Sequence, residues 1–194
     1  MFRVTFAHKS VLYMTKMHIR EMKKYVLITG GAGFIGINTA DYFLARHYGV
    51  TIFDNMSRKG SSENLKWLKK KWDKQFLFAK GDVVTDKKKL TLLAEKTDAV
   101  LHLAAQVAVT TSVRDPYHDF HTNTHGTINV LEAVRHSKRR PFVIYSSTNK
   151  VYGAMEDAKI KLTDAGYRYA HFPIGVAANH PVDFHSPYGC SKGA

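Results

Sequence analysis

The sequence predicts an α/β fold in which a doubly wound parallel sheet carries helices on both faces. Two observations predict it. From residue 25 onward, apolar runs of four to seven residues alternate with longer segments of helical periodicity. The runs are rich in β-branched and aromatic residues and nearly continuous in hydrophobicity, as expected of parallel strands buried on both sides. Right-handed crossovers then place helices on both faces of the sheet.

The first half of the pattern holds two strands and two helices. The run "YVLIT" at 25–29 ends in glycines, which mark the end of a strand, and a helical stretch follows at 34–47. The run "GVTIFD" at 49–54 is the second strand. A basic helix is predicted over 62–72, because its apolar residues recur at helical spacing.

The second half repeats the alternation. The run "FLFAKGD" at 76–82 predicts a strand, and the segment 86–96 a helix. The run "AVLHLA" at 99–104 predicts the fourth strand, a long helical segment covers 117–137, and "FVIYSS" at 142–147 predicts the fifth strand. Each strand is short enough, and each helix long enough, for its type.

Two segments fall outside this alternation. Periodicity is lost over 154–186, which we expect to be a long irregular loop. Residues 1–24 contain one acidic residue and lack the apolar core and cleavage site of a secretory signal. We expect them to be a disordered extension or sequence upstream of the true start, with an amphipathic transit peptide as the alternative. The folded domain is therefore expected over 25–194.

The composition is ordinary for a globular protein, with 44% hydrophobic and 23% charged residues. No apolar run approaches the roughly 20 residues needed to cross a bilayer, which argues against an integral membrane protein. The single cysteine, Cys190, excludes an internal disulfide framework and fits the reducing cytoplasm. We expect Cys190 to be a small buried thiol and not a nucleophile.

The formal net charge of +13 is concentrated in residues 1–24 and 58–96. Within the second block, Leu65, Leu68 and Trp72 share one face of the predicted helix, while lysines point away from it. This pattern is typical of a solvated surface helix. Nonspecific binding of polyanions through the basic face is the alternative, and it would carry no sequence information. No specific nucleic-acid partner is expected.

A glycine cluster between the first strand and the first helix predicts a dinucleotide site. Gly30 permits the tight turn, Gly33 lets the backbone approach a pyrophosphate, and Gly36 allows close packing of helix on strand. The helix N-terminus supplies N–H donors and a positive dipole end. Asp54 ends the second strand, where a carboxylate accepts hydrogen bonds from ribose hydroxyls and repels a 2′-phosphate, so NAD is favoured over NADP.

Five stretches carry a family resemblance: "TGGAGFIG", "GDV", "HLAA", "SSTNKVYG" and "PYGCSK". In this order they resemble the extended short-chain dehydrogenase/reductase family of nucleotide-sugar epimerases and dehydratases, which has a Rossmann domain. The resemblance implies NAD as cofactor and no metal. The cofactor-binding residues that it implies are Gly30, Gly33, Phe34, Ile35, Gly36, Asp54, Asn55, Ser57, Arg58, Asp82, Val83, Leu103, Ala104, Ala105, Tyr188 and Lys192.

The same resemblance implies the proton-transfer residues. Oxidising a sugar carbinol requires a base, and a free tyrosine, with a pKa near 10, needs activation at neutral pH. The family assigns the base to Tyr188 and its activator to Lys192, one helical turn away on the same face. By position, Thr148 shares the substrate oxygen, with Ser147 as the alternative. Asn123 is expected to have a mainly structural role beneath the active site.

Positions 149 and 150 separate the subfamilies. Sugar 4,6-dehydratases carry an Asp–Glu pair directly after the hydroxyl residue, because eliminating water needs an additional acid and base. Asn149 and Lys150 stand there in this sequence and cannot form that pair. Dehydration is therefore disfavoured, and epimerisation, which needs only hydride removal, a shift of the keto intermediate and hydride return, is favoured.

Two longer stretches narrow the resemblance. The segments 57–68 and 183–194 resemble the CDP-paratose 2-epimerase (CDP-tyvelose epimerase) subfamily. This implies a 2-keto intermediate, a CDP-linked dideoxyhexose as substrate and a homo-oligomeric parent enzyme. Another nucleotide-sugar 4-epimerase remains an alternative, as does a non-catalytic NAD-binding module. Residues 154–181 match only in patches, so the substrate contacts of that segment stay undefined.

The resemblance also sets expectations about the end of the chain. In the family a sixth strand and a small substrate domain follow, and residues 1–194 do not contain them. We therefore expect Lys192 in a mobile, fraying last turn, and strand 142–147 at an exposed edge. On this basis the chain alone should bind NAD weakly and turn over no nucleotide sugar.

His118, His121 and His125 share helical spacing, but we do not expect a metal site there.

Overall fold

The computed structural model describes residues 24–156 and 158–194. The chain divides into two units. The first contains residues 24–104 and 126–146, and the second contains residues 105–125 and 147–194. The extension predicted over residues 1–24 lies, apart from Lys24, outside the described residues.

The described elements alternate as the sequence predicts. In chain order they are β1 (Tyr25–Thr29), α1 (Phe34–Leu44), β2 (Gly49–Asp54), α2 (Ser61–Trp72), β3 (Phe76–Lys80), α3 (Lys87–Ala94), β4 (Ala99–His102), α4 (Val109–Arg114), α5 (Pro116–Phe120), a π-helix (His121–His125), α6 (Gly126–His136), β5 (Phe142–Tyr145), a 3₁₀ helix (Asn149–Tyr152), β6 (Ile160–Thr163), β7 (Gly166–Tyr169) and α7 (Pro187–Gly193).

The first unit is built on a five-stranded sheet with the order β3-β2-β1-β4-β5. All four pairings are parallel. The chain runs outward from β1 to β3 on one side, then returns to place β4 and β5 on the other. This reversal of strand order between β1 and β4 is the point where ligands bind in sheets of this kind. The predicted doubly wound fold is confirmed.

Apolar residues of the sheet face two separate cores. Val26 and Ile28 of β1 pack with Ile37 of α1 on one face, whereas Leu27, between them, packs with Leu90 of α3 on the other. Successive side chains of a strand point to opposite faces, so both sides of β1 are covered. This explains why the strand is an unbroken apolar run.

Helix α2 follows its predicted pattern. Leu65 and Leu68 are buried, and Trp72 packs partly buried against the same core. The Trp72 indole N–H also donates to Asp41 Oδ1 at 2.6 Å. Lys71, on the polar side, pairs with Asp41 at 2.8 Å. The basic helix is therefore anchored through its apolar face, as the spacing indicates.

The predicted helix over 117–137 is in fact several elements. Asp115 accepts a hydrogen bond from the His118 N–H at 2.9 Å, and Pro116 occupies the first turn, so α5 begins with its own cap. The backbone then widens into the π-helix before α6. Such widened turns occur frequently at functional sites.

The loop predicted over 154–186 contains a hairpin. Strands β6 and β7 pair antiparallel, with Ile160 opposite Tyr169 and Leu162 opposite Tyr167. Gly166 opens β7 with a φ of 99°, a left-handed conformation that favours glycine. The prediction of an irregular loop was therefore wrong for the residues of this hairpin. The sequence pattern does not reveal them because each strand has only four residues and its apolar side chains are exposed.

Among residues 24–156 and 158–194, no helix combines the length and hydrophobicity that a bilayer crossing requires.

Candidate functional site

The first unit contains a glycine turn, residues 30–36, between β1 and α1. Gly30 has a φ of 67°, and a Cβ there would lie 2.7 Å from the Ala104 nitrogen. A Cβ on Gly36 would overlap the Gly30 carbonyl oxygen. Both positions therefore require glycine for the packing of the chain itself.

Gly33 differs from these two. A Cβ there would meet only the Gly30 carbonyl oxygen, at 3.2 Å. The residue has extended backbone, with φ −69° and ψ 172°, and caps α1 without any side-chain hydrogen bond. The space beside Gly33 is therefore open to a ligand, as the prediction of close pyrophosphate approach requires.

The start of α1 is suited to an anion. The first N–H groups of a helix have no partner within it, and the helix dipole adds positive potential. Helix α1 has no acidic residue in its first turn. Phe34 and Ile35, which open the helix, are 79% and 64% exposed. These features fit a bound dinucleotide whose pyrophosphate lies at the helix start.

Asp54 ties the end of β2 to the glycine turn. Its Oδ2 accepts from the Ala32 N–H at 3.0 Å, and its Oδ1 accepts from the Met56 N–H at 2.8 Å. The residue is only 9% exposed. A carboxylate has about four acceptor sites, so two remain for ribose hydroxyls. Asp54 both shapes the turn and retains acceptor capacity.

The loops after β2 and β3 are linked beside it. The Asn55 amide donates to Asp82 Oδ2 at 2.7 Å, and the Ser57 hydroxyl donates to Asn55 Oδ1 at 2.7 Å. Asp82 Oδ1 accepts from the Val84 N–H. The structure thus brings together Asn55, Ser57 and Asp82, three residues predicted to contact the cofactor. Arg58 is exposed and Val83 is buried.

The end of β4 lies against the end of β1. The Leu103 N–H donates to the Thr29 carbonyl at 3.1 Å, and the Ala104 N–H donates to the Thr29 hydroxyl at 3.3 Å. Leu103 and Ala104 therefore lie at the carboxyl ends of the strands, where a dinucleotide is expected. Ala105, predicted with them, is the first residue of the second unit.

His102 is a polar residue of this unit that sequence reasoning did not single out. Its ring is 1% exposed, with Nδ1 2.6 Å from Thr29 Oγ1 and Nε2 3.0 Å from Thr127 Oγ1. It links β4 to β1 and α6. The signal was a single polar residue within the run "AVLHLA". Because both ring nitrogens have partners, its role is structural.

In the second unit, α7 carries the predicted tyrosine and lysine. Ser186 caps the helix by accepting from the Gly189 N–H at 3.0 Å, and Pro187 occupies the first turn. The Tyr188 N–H donates to Ser112 Oγ at 3.1 Å. Tyr188 is 9% exposed and Lys192 5%.

The expected fraying of Lys192 was therefore wrong. Helix α7 packs closely on its neighbours, since a Cβ on Gly189 would lie 2.6 Å from the Lys150 carbonyl oxygen, and a Cβ on Gly193 would overlap the Phe184 ring. The cap and the buried contacts stabilise the helix, so its last turn does not fray despite the unsatisfied carbonyls at its end.

Burial changes the charge behaviour of Lys192. Removal from water lowers the pKa of its ammonium group to about 8, and the nearby Asp119 carboxylate acts in the opposite direction. The group remains mainly protonated at neutral pH. A buried cation therefore lies one helical turn from Tyr188 on α7.

A buried polar network lies behind α7, formed by Gln106, Asp119, Asn123 and Ser191. Asp119 and Asn123 are 0% and 1% exposed. Asn123 Nδ2 donates to Ser191 Oγ at 3.0 Å, and Asn123 Oδ1 accepts from the Gln106 N–H at 2.9 Å. Sequence reasoning gave Asn123 a structural role but missed Asp119 and Ser191. The available signal was the four-residue spacing of Asp119 and Asn123 in a helical segment.

Thr148 lies at the start of the 3₁₀ helix. Its hydroxyl oxygen accepts from the Lys150 N–H at 3.3 Å, and its side chain is half-buried. The hydroxyl hydrogen is donated to Asn149 Oδ1 at 3.5 Å, a long hydrogen bond that a substrate oxygen could replace. Ser147, the alternative, is exposed.

Three other expectations concern this unit. Cys190 is exposed, so the prediction of a buried thiol was wrong: α7 turns its neighbours Gly189 and Ser191 inward and Cys190 outward. His121 and His125 approach to 3.3 Å between their Nδ1 atoms. Across the described ranges, no three His, Cys, Asp or Glu side chains form a group that could hold a metal ion.

Comparison with known proteins decides the family. Residues 27–194 match the model of the GDP-mannose 4,6 dehydratase family. The chain belongs to this family. Its members in the extended short-chain dehydrogenase/reductase group include epimerases and dehydratases, so the family predicted from the five stretches is confirmed.

Individual relatives extend the match. The chain is 47% identical over 171 residues to CDP-paratose 2-epimerase of Salmonella typhi, covering 87% of this chain and 50% of that enzyme. UDP-glucose 4-epimerase of Brucella ovis, solved with NAD, has a TM-score of 0.66 and 29% identity, covering 87% of this chain and 44% of that one. The dTDP-glucose 4,6-dehydratase of Streptomyces venezuelae, also solved with NAD, has a TM-score of 0.70 and 27% identity, covering 87% and 48%.

The chain spans about half the length of the curated relatives it matches. The predicted cofactor, NAD, is the cofactor present in these solved relatives.

Proposed function

We propose that the protein acts in NAD-dependent epimerisation of a nucleotide sugar, at carbon 2 of a CDP-linked dideoxyhexose. The observation that carries the proposal is the capped helix α7, which holds Tyr188 and Lys192 buried one turn apart. The identity to CDP-paratose 2-epimerase supports the choice of substrate. A module that only binds a dinucleotide has no need of a base and a buried activator.

The first unit supplies the groups that hold NAD. Gly33 leaves room for the pyrophosphate, and the N–H groups at the start of α1 face it. Asp54 has acceptor capacity for the adenosine ribose hydroxyls, with Asn55 and Asp82 beside it. NAD held by these residues would supply the transfer of a hydride from the sugar and back to it.

The second unit supplies the proton chemistry. The Tyr188 phenolate takes the proton from the sugar hydroxyl as the carbonyl forms, and returns it when the carbonyl is reduced. The Lys192 ammonium group stabilises the phenolate through its charge. The Thr148 hydroxyl donates a hydrogen bond to the same sugar oxygen, and Ser147 is the alternative donor.

The residues after Thr148 favour epimerisation over dehydration. Asn149 and Lys150 are both exposed and lie in the 3₁₀ helix that Thr148 caps. Neither side chain forms the acid and carboxylate pair that elimination of water needs. The keto intermediate therefore has no partner for elimination and is reduced again from its other face.

The test follows conversion of CDP-paratose by nuclear magnetic resonance. Because the chain spans about half of the Salmonella typhi enzyme, we would assay the protein alone and joined to the C-terminal half of that enzyme. We expect the joined protein to form CDP-tyvelose with bound NAD, and the protein alone to form none. Tyr188→Phe should lower turnover by about three orders of magnitude while NAD stays bound.

Two results would contradict the proposal. Near-normal turnover by Tyr188→Phe would remove Tyr188 from the role of base. Conversion of UDP-glucose in preference to CDP-paratose would favour a 4-epimerase, the activity of the Brucella ovis relative.

A further inference from the structure

Asp119 is a buried acidic residue that the mechanism above does not use. It lies near the end of α5, and its exposure is 0%. Carboxylates are almost never fully buried unless they are paired. Its burial therefore calls for a partner charge.

Three side chains donate hydrogen bonds to the Asp119 carboxylate. Gln106 Nε2 donates to Oδ1 at 2.7 Å, and Asn123 Nδ2 donates to the same oxygen at 3.2 Å. The Ser191 hydroxyl donates to Oδ2. A carboxylate accepts hydrogen bonds, and these three partners supply the donors. All three are also neutral, so they do not balance the charge.

Lys192 is the residue that follows Ser191 and is itself buried. The Asp119 carboxylate acts on its charge and favours the protonated form. The other Asp, Lys, Arg and His side chains on the segments around α7 are exposed or half-buried, so solvent screens their charges. They are Arg114, Asp115, His118, His121, His125, Lys150, Asp183 and His185.

We propose that Asp119 is a positioning residue for proton transfer: its carboxylate keeps Lys192 in the ammonium form and, through the Ser191 hydroxyl, fixes the turn of α7 that joins Tyr188 to Lys192. Its catalytic consequence rests on the proposed function, since only that reaction needs a charged Lys192. The electrostatic coupling between Asp119 and Lys192 does not depend on the proposed function.

The physical reason is the competition between burial and charge. Burial favours a neutral lysine, and the Asp119 carboxylate opposes this. Removing the carboxylate takes away a charge that favours the ammonium form, so Lys192 should lose its proton at a lower pH. A neutral lysine no longer stabilises the phenolate of Tyr188.

Two variants separate the charge of Asp119 from its hydrogen bonds. In Asp119→Asn the new Oδ1 still accepts from Gln106 and Asn123, and the new amide donates to Ser191 Oγ, so the network persists without the charge. Ser191→Ala removes the hydrogen bonds that the Ser191 hydroxyl makes with Asp119 and Asn123 and keeps the charge. It is the matched control.

The measurement is the titration of the Lys192 side chain by nuclear magnetic resonance, in the protein without substrate or cofactor. Lys192→Arg assigns the signal. We expect Asp119→Asn to lower the pKa of Lys192 by about one pH unit, because an opposite charge nearby shifts a pKa by about that much or more. Ser191→Ala should leave it nearly unchanged.

An unchanged Lys192 pKa in folded Asp119→Asn would overturn the proposal, and so would an equal fall in Ser191→Ala. If Asp119→Asn does not fold, Lys192→Met measures the coupling from the other side. The carboxyl pKa of Asp119 should then rise, and an unchanged value would overturn the proposal.

The titration and the epimerase assay can fail independently, because the titration needs no turnover. In an active protein, a Lys192 pKa moved from about 8 to about 7 means that Asp119→Asn should lower kcat about twofold at pH 7 and about fivefold at pH 8, and should match the unmodified protein below pH 6, where Lys192 is protonated in both. A kcat lowered equally at all pH values would indicate a merely structural role and would contradict the proposal.

Discussion

Burial of Lys192 predicts that the protein becomes more stable as the pH rises above 8. Removal from water lowers the pKa of this lysine from 10.5 to about 8, against the opposing charge of Asp119. Below pH 8 both the folded and the unfolded state carry the proton, so the folding penalty is fully present there. Between pH 8 and 10.5 the unfolded state binds more protons, and the free energy of unfolding therefore increases with pH.

The size of the effect follows from the shift. A fall of about 2.5 pH units in the pKa corresponds to a penalty of about 3 kcal/mol, as each unit is worth about 1.4 kcal/mol. Between pH 7.5 and 9.5, linkage relieves about 2 kcal/mol of this. Local relaxation of the protein around a buried charge reduces the expected change to about 1 kcal/mol.

The assay compares the protein with Lys192→Met by urea unfolding at pH 7.5 and 9.5. Methionine keeps the length of the side chain and removes its charge. Other groups that titrate in this range, including tyrosines, contribute equally to both proteins and cancel in the difference. Between pH 7.5 and 9.5, we expect the free energy of unfolding of the unmodified protein to rise by about 1 kcal/mol relative to that of Lys192→Met. An equal difference at both pH values would refute the reasoning.

Two further predictions concern the glycine turn and the cap of α7. Gly36→Ala should lower the free energy of unfolding by about 2 kcal/mol, because its Cβ overlaps the Gly30 carbonyl oxygen. Gly33→Ala should change the free energy of unfolding by less than about 1 kcal/mol. It should still weaken the binding of NAD, measured by calorimetry. Equal stabilities of the two variants would contradict this. Ser186→Ala should cost about 1 kcal/mol in urea unfolding, since Gly189 N–H loses its acceptor; no loss would show that packing alone holds α7.

The fold and the glycine turn could be predicted because their causes are local. Each strand is an apolar run covered on both faces, as β1 shows. Gly30 and Gly36 are glycines because neighbouring backbone leaves no room for a Cβ. Patterns of this kind are visible within a few residues of sequence.

The buried network could not be predicted, because its members are distant in sequence. Ser191 reaches Asp119 across 72 positions, and no local pattern indicates that contact. The same tertiary packing buries Lys192, which sequence reasoning placed in a fraying turn. It also turns Cys190 outward, against expectation. The hairpin of β6 and β7 was missed since its strands are short and its apolar residues exposed.

The central claim is that hydride leaves carbon 2 of a CDP-linked sugar and returns to the same carbon. The most direct measurement uses CDP-paratose with deuterium at carbon 2, incubated in ordinary water with the joined protein described above. We expect CDP-tyvelose that keeps its deuterium, because the hydride never exchanges with solvent. Loss of the deuterium to water, or no product from protein with NAD bound, would contradict it.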